Sequence, residues 1–177
     1  MKYGKSALKD ALWMQPELLE DERGFFAQTF CKNEFFSQGI EPDIRQCNIS
    51  YNKKARTLRG MHFQKEPYQQ AKYLTCTNGI IQDVIIDLRK DSPTYMKWDS
   101  FILSRENRQW LYIPKGFAHG YLTLTDDADI FYQISQFYVK DSESGIRWDD
   151  PAFDIFWLKE PLIMSEKDSN YPDFKEE

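Results

Sequence analysis

Apolar and polar residues alternate over short segments along most of this chain, which is the period of a half-buried β-strand. In residues 129–139, for example, Ile130, Tyr132 and Tyr138 fall on one face by the period of two. Similar segments with turn signals between them predict strands at 25–30, 44–51, 71–77, 80–88, 95–103, 109–113 and 121–125. Many short strands without a long helical period predict an all-β protein, a β-sandwich or a jelly-roll barrel.

Helical structure is predicted to be minor. Residues 33–38 favour one short helical turn that ends at Gly39. The last thirty or so residues, which contain Trp148 and Trp157, predict an irregular tail wrapped over the barrel.

The dipeptide Asn78-Gly79 predicts a tight hairpin between segments 71–77 and 80–88, because both residues tolerate positive φ. In that register Lys72 and Asp83 are diagonal neighbours on one face of the sheet. Two interpretations remain open: a surface ion pair, or a lysine held by a carboxylate inside a pocket.

Composition predicts a single folded domain spanning residues 1–177, with 41% hydrophobic and 29% charged residues. A net charge of −5 argues against broad nucleic-acid binding, although a local phosphate site stays open. No apolar run is long enough to cross a membrane, and no signal peptide is present at the N-terminus. Three cysteines, Cys31, Cys47 and Cys76, have no metal-like spacing and predict reduced thiols in a cytoplasmic protein.

The chain has two histidines, His62 and His119. A metal site of the usual barrel type needs about three imidazoles and a carboxylate, and Gln64, the next alternate residue after His62, is a poor ligand. The sequence therefore predicts no metal. A histidine that is not a metal ligand has a proton affinity suited to a general base near neutral pH.

Several motifs occur in one order along the chain: Asp21-Glu22-Arg23-Gly24-Phe25-Phe26, Leu58-Arg59-Gly60-Met61-His62-Phe63-Gln64, Gln70-Ala71-Lys72, residues 84–94, Pro114-Lys115-Gly116-Phe117-Ala118-His119-Gly120 and Ser165-Glu166-Lys167-Asp168. Together they resemble the dTDP-4-dehydrorhamnose 3,5-epimerase family. The resemblance implies a cupin jelly roll without metal or cofactor, usually a homodimer. It also implies epimerisation of a nucleotide-diphosphate-linked 4-keto-6-deoxy sugar.

The resemblance assigns roles to individual residues. It makes His62 the general base, Asp168 the carboxylate that orients the His62 ring, and Tyr132 the acid that returns a proton from the opposite face. Lys72 falls near the substrate ketone, with Asp83 as its supporting partner. Positions that bind the nucleotide sugar or line its pocket are Arg23, Gln28, Gln46, Asn48, Arg59, His119, Glu143 and Lys167. Tyr138 is either a sugar contact or a wall residue, and the glycines beside His119 could instead mark a tight barrel corner.

Gln28 departs from the family pattern, in which a glutamate is usual. An amide can also donate a hydrogen bond, so it would suit cytosine instead of thymine. Three readings stay open: a 3,5-epimerase, a single-centre epimerase on a related dTDP, CDP or GDP 4-keto sugar, and a catalytically silent nucleotide-sugar-binding cupin. The family also leads one to expect a homodimer in which the N-terminal strand carries Arg23 to the neighbouring pocket.

Overall fold

A computed structural model describes residues 1–176, and two antiparallel sheets dominate it. The six-stranded sheet has the order β1-β2-β10-β7-β12-β5, and the five-stranded sheet has the order β13-β6-β11-β8-β9. Their strands are β1 Lys2–Lys5, β2 Leu12–Gln15, β5 Gln46–Asn52, β6 Leu58–Gln64, β7 Lys72–Asn78, β8 Ile80–Asp87, β9 Trp98–Ser104, β10 Trp110–Ile113, β11 Phe117–Thr123, β12 Ala128–Ile134 and β13 Glu143–Gly145. Two further strands, β3 Leu19–Asp21 and β4 Gly24–Phe26, form a separate hairpin. The predicted all-β jelly roll is confirmed.

Helices are short, as the sequence predicted. They are α1 Lys32–Ser37, α2 Glu166–Ser169 and a 3₁₀ turn at Lys140–Ser142. Within the described residues no helix has the length and apolar character needed to cross a membrane.

An apolar core fills one part of the space between the two sheets. Leu74 and Ile130 from the six-stranded sheet pack with Ile85, Leu103 and Phe117 from the five-stranded sheet, and all five are nearly inaccessible to water. Complete burial of side chains of this size contributes on the order of 1.5–3 kcal/mol each. The core therefore fixes the separation of the sheets, and polar side chains on the same inner faces are held opposite one another.

Each sheet is also covered on its outer face. Tyr73, Tyr112 and Phe35 pack outside the six-stranded sheet, and α1 supplies Phe35. The irregular C-terminal tail covers the five-stranded sheet, where Phe153 packs against Ile86 and Ala118. Because strand β8 is covered on both faces, it is almost continuously buried instead of alternating.

The predicted Asn78-Gly79 hairpin is wrong. Strand β7 pairs with β10 and β12, whereas β8 pairs with β9 and β11, so this turn carries the chain from one sheet to the other. Gly79 has a φ of +77°, but Asn78 does not adopt a positive φ, as a type I′ turn would require. A Cβ on Gly79 would lie 2.6 Å from Thr125 Oγ1, so close packing at the crossover requires glycine.

Two strand boundaries also differ from the predictions and move candidate residues. Strand β12 ends at Ile134, so Tyr138 lies beyond it, exposed, and does not share a strand face with Tyr132. Strand β11 begins at Phe117, so His119 lies within a strand and not at a barrel corner.

Candidate active site

His62 and Asp168 form a close pair although 106 residues separate them in the chain. The Asp168 Oδ1 atom accepts a hydrogen bond from His62 Nε2 at 2.7 Å. Ser165 caps α2 by accepting from the Asp168 backbone N–H at 3.0 Å, which fixes the position of the carboxylate. Burial alone would raise the pKa of Asp168, but the hydrogen bond from His62 and its charge hold the pKa below its usual range. The ionised carboxylate can only accept, so it sets the proton on Nε2 and leaves Nδ1 as the basic nitrogen.

A second histidine–carboxylate pair lies beside the first. Strands β6 and β11 place His119 directly opposite His62. His119 Nε2 donates to Asp83 Oδ2 at 2.8 Å, and the Asp83 side chain is fully buried, with no hydrogen bond to its Oδ1 atom from the described residues. Burial lowers the pKa of His119, against the opposing influence of the Asp83 charge, and so favours the neutral imidazole.

The predicted diagonal contact between Lys72 and Asp83 is wrong, because β7 and β8 belong to different sheets. The two side chains instead face the interior from opposite sides, and the hydrogen bond of the carboxylate goes to His119. Lys72 Nζ lies 3.5 Å from the backbone oxygen of His62. Burial lowers the pKa of Lys72 to about 8, although the negative charges of Asp83 and Glu143 raise it. The sequence left two interpretations of Lys72 open, a surface ion pair and a lysine held by a carboxylate inside a pocket. The geometry fits the second, because Lys72 is enclosed and the negative charge of Asp83 acts on it.

Tyr132 shares the inner face of the six-stranded sheet with Lys72. It lies opposite Leu74 on β7 and opposite Asn48 on β5, and directly paired residues point to the same side of a sheet. The ring packs partly buried against the central core. Burial raises the pKa of Tyr132, opposed by the charge of Arg59, so the phenol keeps its proton. Tyr132 therefore faces the interior from the sheet opposite His62.

A polar rim closes one end of this interior. Glu143 accepts hydrogen bonds from Lys167 and, at 2.9 Å, from Tyr138. Burial alone would raise the pKa of Glu143, but these two hydrogen bonds keep it lowered. Gln46, opposite Ile134, accepts from the Tyr138 backbone N–H at 2.7 Å.

Arg23 and Gln28 are not brought to this interior within one chain. Arg23 lies on the β3–β4 hairpin, its side chain is 85% exposed, and its ion pair is with the neighbouring Asp21. Gln28 is exposed in the segment that follows β4.

Three residues next to the site were missed in the sequence. The ring of Tyr171 lies 6.3 Å from that of His62, centroid to centroid, and the only signal in the sequence was that Tyr171 follows Asp168 by three residues. Gln64 donates to the backbone oxygens of Tyr68 and Phe137, and its spacing of two from His62 placed it on the same side of the strand. Asn52 contacts Arg59 from another strand, and no local pattern signals that contact.

Two features bear on other possible sites. Among the described residues no group of three or more histidine, cysteine, aspartate or glutamate side chains is arranged to hold a metal ion. A cavity of about 1220 Å³ lies near the C-terminal tail and is lined by Phe63, Arg89 and Phe174. Phe63 alternates with His62 along β6, so this cavity lies on the opposite face from the histidine pairs.

The fold and this interior define a class: a cupin-type jelly-roll protein in which titratable side chains face one another from two sheets. The family model for dTDP-4-dehydrorhamnose 3,5-epimerase matches residues 5–176. The chain belongs to this family of epimerases, as the sequence motifs predicted.

Individual relatives with the same family name align with nearly the full length of this chain. The dTDP-4-dehydrorhamnose 3,5-epimerase of Methanothermobacter thermautotrophicus is 41% identical, with 99% of this chain and 95% of the relative covered. The Shigella flexneri enzyme of the same name is 39% identical, with 94% and 92% covered. Among solved structures, the Bacillus anthracis enzyme with TDP and pyrophosphate bound has a TM-score of 0.94 at 40% identity, with 98% of this chain and 99% of that chain covered.

Proposed function

We propose that this enzyme epimerises a dTDP-linked 4-keto-6-deoxy sugar at C3 and C5, in a single domain that spans residues 1–177. The observation that carries the proposal is His62, which lies on one sheet with Asp168 of α2 hydrogen-bonded to its ring and faces Lys72 and Tyr132 on the other sheet. The names of the relatives support dTDP as the carrier nucleotide.

The reaction depends on the C4 ketone, which acidifies the hydrogens on C3 and C5. His62 Nδ1 takes one of these protons, and the electron pair of the broken C–H bond moves into an enolate whose charge lies on the C4 oxygen. Asp168 stabilises the imidazolium that forms. The Lys72 ammonium stabilises the enolate oxygen electrostatically. The Tyr132 hydroxyl then gives a proton to the carbon from the opposite face, which inverts the centre. Proton exchange with water then returns His62 to its neutral form and Tyr132 to its phenol.

The remaining predicted residues act on the rest of the substrate in this proposal. Arg59 binds the diphosphate, since a guanidinium pairs well with phosphate oxygens. The other contacts of the nucleotide sugar are Gln46, Asn48, His119, Glu143, Lys167 and Tyr138.

A solvent-exchange experiment tests the function. The enzyme is incubated in D₂O with dTDP-4-keto-6-deoxyglucose and, separately, with the CDP and GDP analogues, and deuterium is located by NMR. Deuterium at both C3 and C5 of the dTDP substrate is the expected result. Exchange at only one centre would identify a single-centre epimerase. A solved structure named as a 3'-monoepimerase, from Streptomyces bikiniensis, has 30% sequence identity to this chain. Faster exchange with the CDP sugar would support the cytosine preference suggested by Gln28. No exchange with any sugar would favour a silent binding protein.

The pH dependence of the reaction is expected to follow Lys72. The ammonium must be protonated to stabilise the enolate, and burial lowers its pKa to about 8, so kcat is expected to fall as the pH rises through about 8. The Asp83 charge raises this pKa, so Asp83→Asn is expected to move the alkaline limb to lower pH, on the order of one pH unit. The asparagine can still accept a hydrogen bond from His119. The measurement is a kcat–pH profile from pH 6 to 10.

Asp91→Asn, at an exposed turn, is the matched control and should leave the limb in place. An unchanged limb in Asp83→Asn would contradict the supporting role of Asp83.

We also propose that the enzyme is a cytoplasmic homodimer in which the β3–β4 hairpin of one subunit carries Arg23 and Gln28 to the pocket of the other. Three apolar side chains on this hairpin are strongly exposed: Leu19 at 62%, Phe25 at 47% and Phe26 at 69%. Such a patch is typical of a surface covered by a partner. A two-fold contact would be isologous and would complete both pockets.

Phe26→Asp is expected to convert the dimer to a monomer, because it would bury an unpaired charge at the interface. The KM should rise, because each pocket then loses the residues supplied by the partner's hairpin. Light scattering after size-exclusion chromatography measures the mass. Phe156→Asp is the matched control, since Phe156 is 68% exposed on the C-terminal tail. A wild-type monomer, or a dimer that survives Phe26→Asp, would refute the arrangement.

A further inference from the structure

The guanidinium of Arg59 is held along one edge by the protein itself. Its Nε–H donates to Asn52 Oδ1 at 2.8 Å, and its Nη2 donates to the backbone oxygen of Tyr51 at 3.4 Å. Nε and Nη2 form the lateral fork of the guanidinium. The two Nη atoms form the terminal fork. Nη1 has no acceptor among the described residues, and Nη2 uses only one of its two N–H groups, so each Nη atom keeps a free N–H.

Asn52 is itself fixed by a buried network that joins the two sheets. It is the last residue of β5 and is only 2% exposed. Its Nδ2 donates to the backbone oxygens of Ser50 and Ala128, and at 3.2 Å to the hydroxyl of Tyr121. The Tyr121 hydroxyl also lies 2.7 Å from Ser50 Oγ. The two N–H groups of Nδ2 point at these three acceptors. The other atom of the amide, the acceptor Oδ1, therefore faces Arg59.

The strand register brings Tyr121 and Arg59 together as well. Tyr121 lies directly opposite Arg59 on the neighbouring strands β11 and β6. The network therefore ties β5, on the edge of one sheet, to β6 and β11 on the other. Arg59 extends from this buried anchor, although the residue as a whole is exposed.

We propose that Asn52 is a positioning residue that holds the Arg59 guanidinium by its lateral fork and so aims the terminal fork at the substrate diphosphate. This inference rests on the proposed function, in which Arg59 binds the diphosphate. An unrestrained arginine loses side-chain freedom when it binds a ligand, and an arginine already held in place loses less. Two parallel N–H donors also match two oxygens of a phosphate.

A double-mutant cycle tests the proposal, with the affinity for dTDP measured by calorimetry on wild type, Asn52→Ala, Arg59→Ala and the double variant. Asn52→Ala is expected to weaken dTDP binding about tenfold in the wild-type background and to have no further effect in the Arg59→Ala background. In turnover, Asn52→Ala should raise the KM much more than it lowers kcat.

Gln82→Ala is the matched control for the loss of a buried amide. Gln82 is also 2% exposed, and it hydrogen-bonds residues 156 and 158 away from the site. It should lower the Tm but leave dTDP affinity unchanged. If Asn52→Ala does not fold, Asn52→Ser replaces it, because the serine hydroxyl is too short to reach the guanidinium.

Equal weakening by Asn52→Ala in both backgrounds, or unchanged affinity in the wild-type background, would overturn the positioning role. If Arg59→Ala binds dTDP as tightly as wild type, the diphosphate role of Arg59 is wrong and the inference falls with it. These outcomes separate a failure of the positioning role from a failure of the binding role.

Discussion

His62→Ala is expected to abolish deuterium exchange at C3 and C5 alike, with a loss of at least about 10³-fold in rate. The Nδ1 atom of His62 is the nitrogen left basic by the hydrogen bond between Nε2 and Asp168. His119 does not replace it, because burial lowers the pKa of His119 and makes it a weaker base, and because it lies on the neighbouring strand. The measurement is NMR detection of deuterium in the substrate pool after incubation with each protein in D₂O.

Phe63→Leu is the control for a change on the same strand. Phe63 packs on the outer side of β6 with the cluster under the C-terminal tail, so its replacement should lower stability without removing exchange. Exchange at either carbon at the wild-type rate in His62→Ala would remove His62 as the base. Loss at only one carbon would show that a second base serves the other.

The sequence predicted the strands well and the pairing of one turn badly. Alternation identified β5 and β12, because inner and outer faces are a local property of each strand. The Asn78-Gly79 turn was misassigned because a dipeptide reports only local φ preference. Whether the chain returns beside itself or crosses to the facing sheet is decided by packing against residues such as Thr125 and Ala128.

The sequence predicted those residues of the site that lie in recognisable motifs. The pairing of His62 with Asp168 depends on a helix cap and a tail segment more than 100 residues further along the chain, and only the family resemblance pointed to it. The register argument gave Asp83 the wrong hydrogen-bond partner, since it assumed one sheet where there are two. Asn52 could not have been found from the sequence, because its contacts with Arg59 and Tyr121 cross from one sheet to the other.

Close packing explains why glycines surround the histidines. Gly60 has a φ of +141°, and a Cβ there would lie 2.4 Å from the Gly120 Cα. The backbones of β6 and β11 therefore approach more closely at this point than side chains would allow, and the pairing register shifts between His119 and Tyr121. Gly60 and Gly120 are thus explained by the packing of the two strands that carry the histidines.

Tyr132→Phe is expected to separate proton removal from inversion. His62 would still remove the proton and could return a deuteron to the same face, so deuterium should enter the substrate without a change of configuration. Formation of the epimerised product should fall by about 10²-fold or more, because the acid on the opposite face is missing. The phenylalanine keeps the ring that packs against the central core, so the fold should be retained.

The comparison that decides the role of Tyr132 is the ratio of deuterium incorporation to product formation, measured by NMR in one sample. In the wild-type enzyme the two rates should be of similar size, whereas in Tyr132→Phe incorporation should exceed inversion. Tyr73→Phe is the matched control, since Tyr73 is buried on the outer face of the same sheet and its hydroxyl has no hydrogen-bond partner in residues 1–176. If incorporation and inversion fall together in Tyr132→Phe, the tyrosine acts in the deprotonation step as well, and a proton donor on the opposite face must be sought elsewhere.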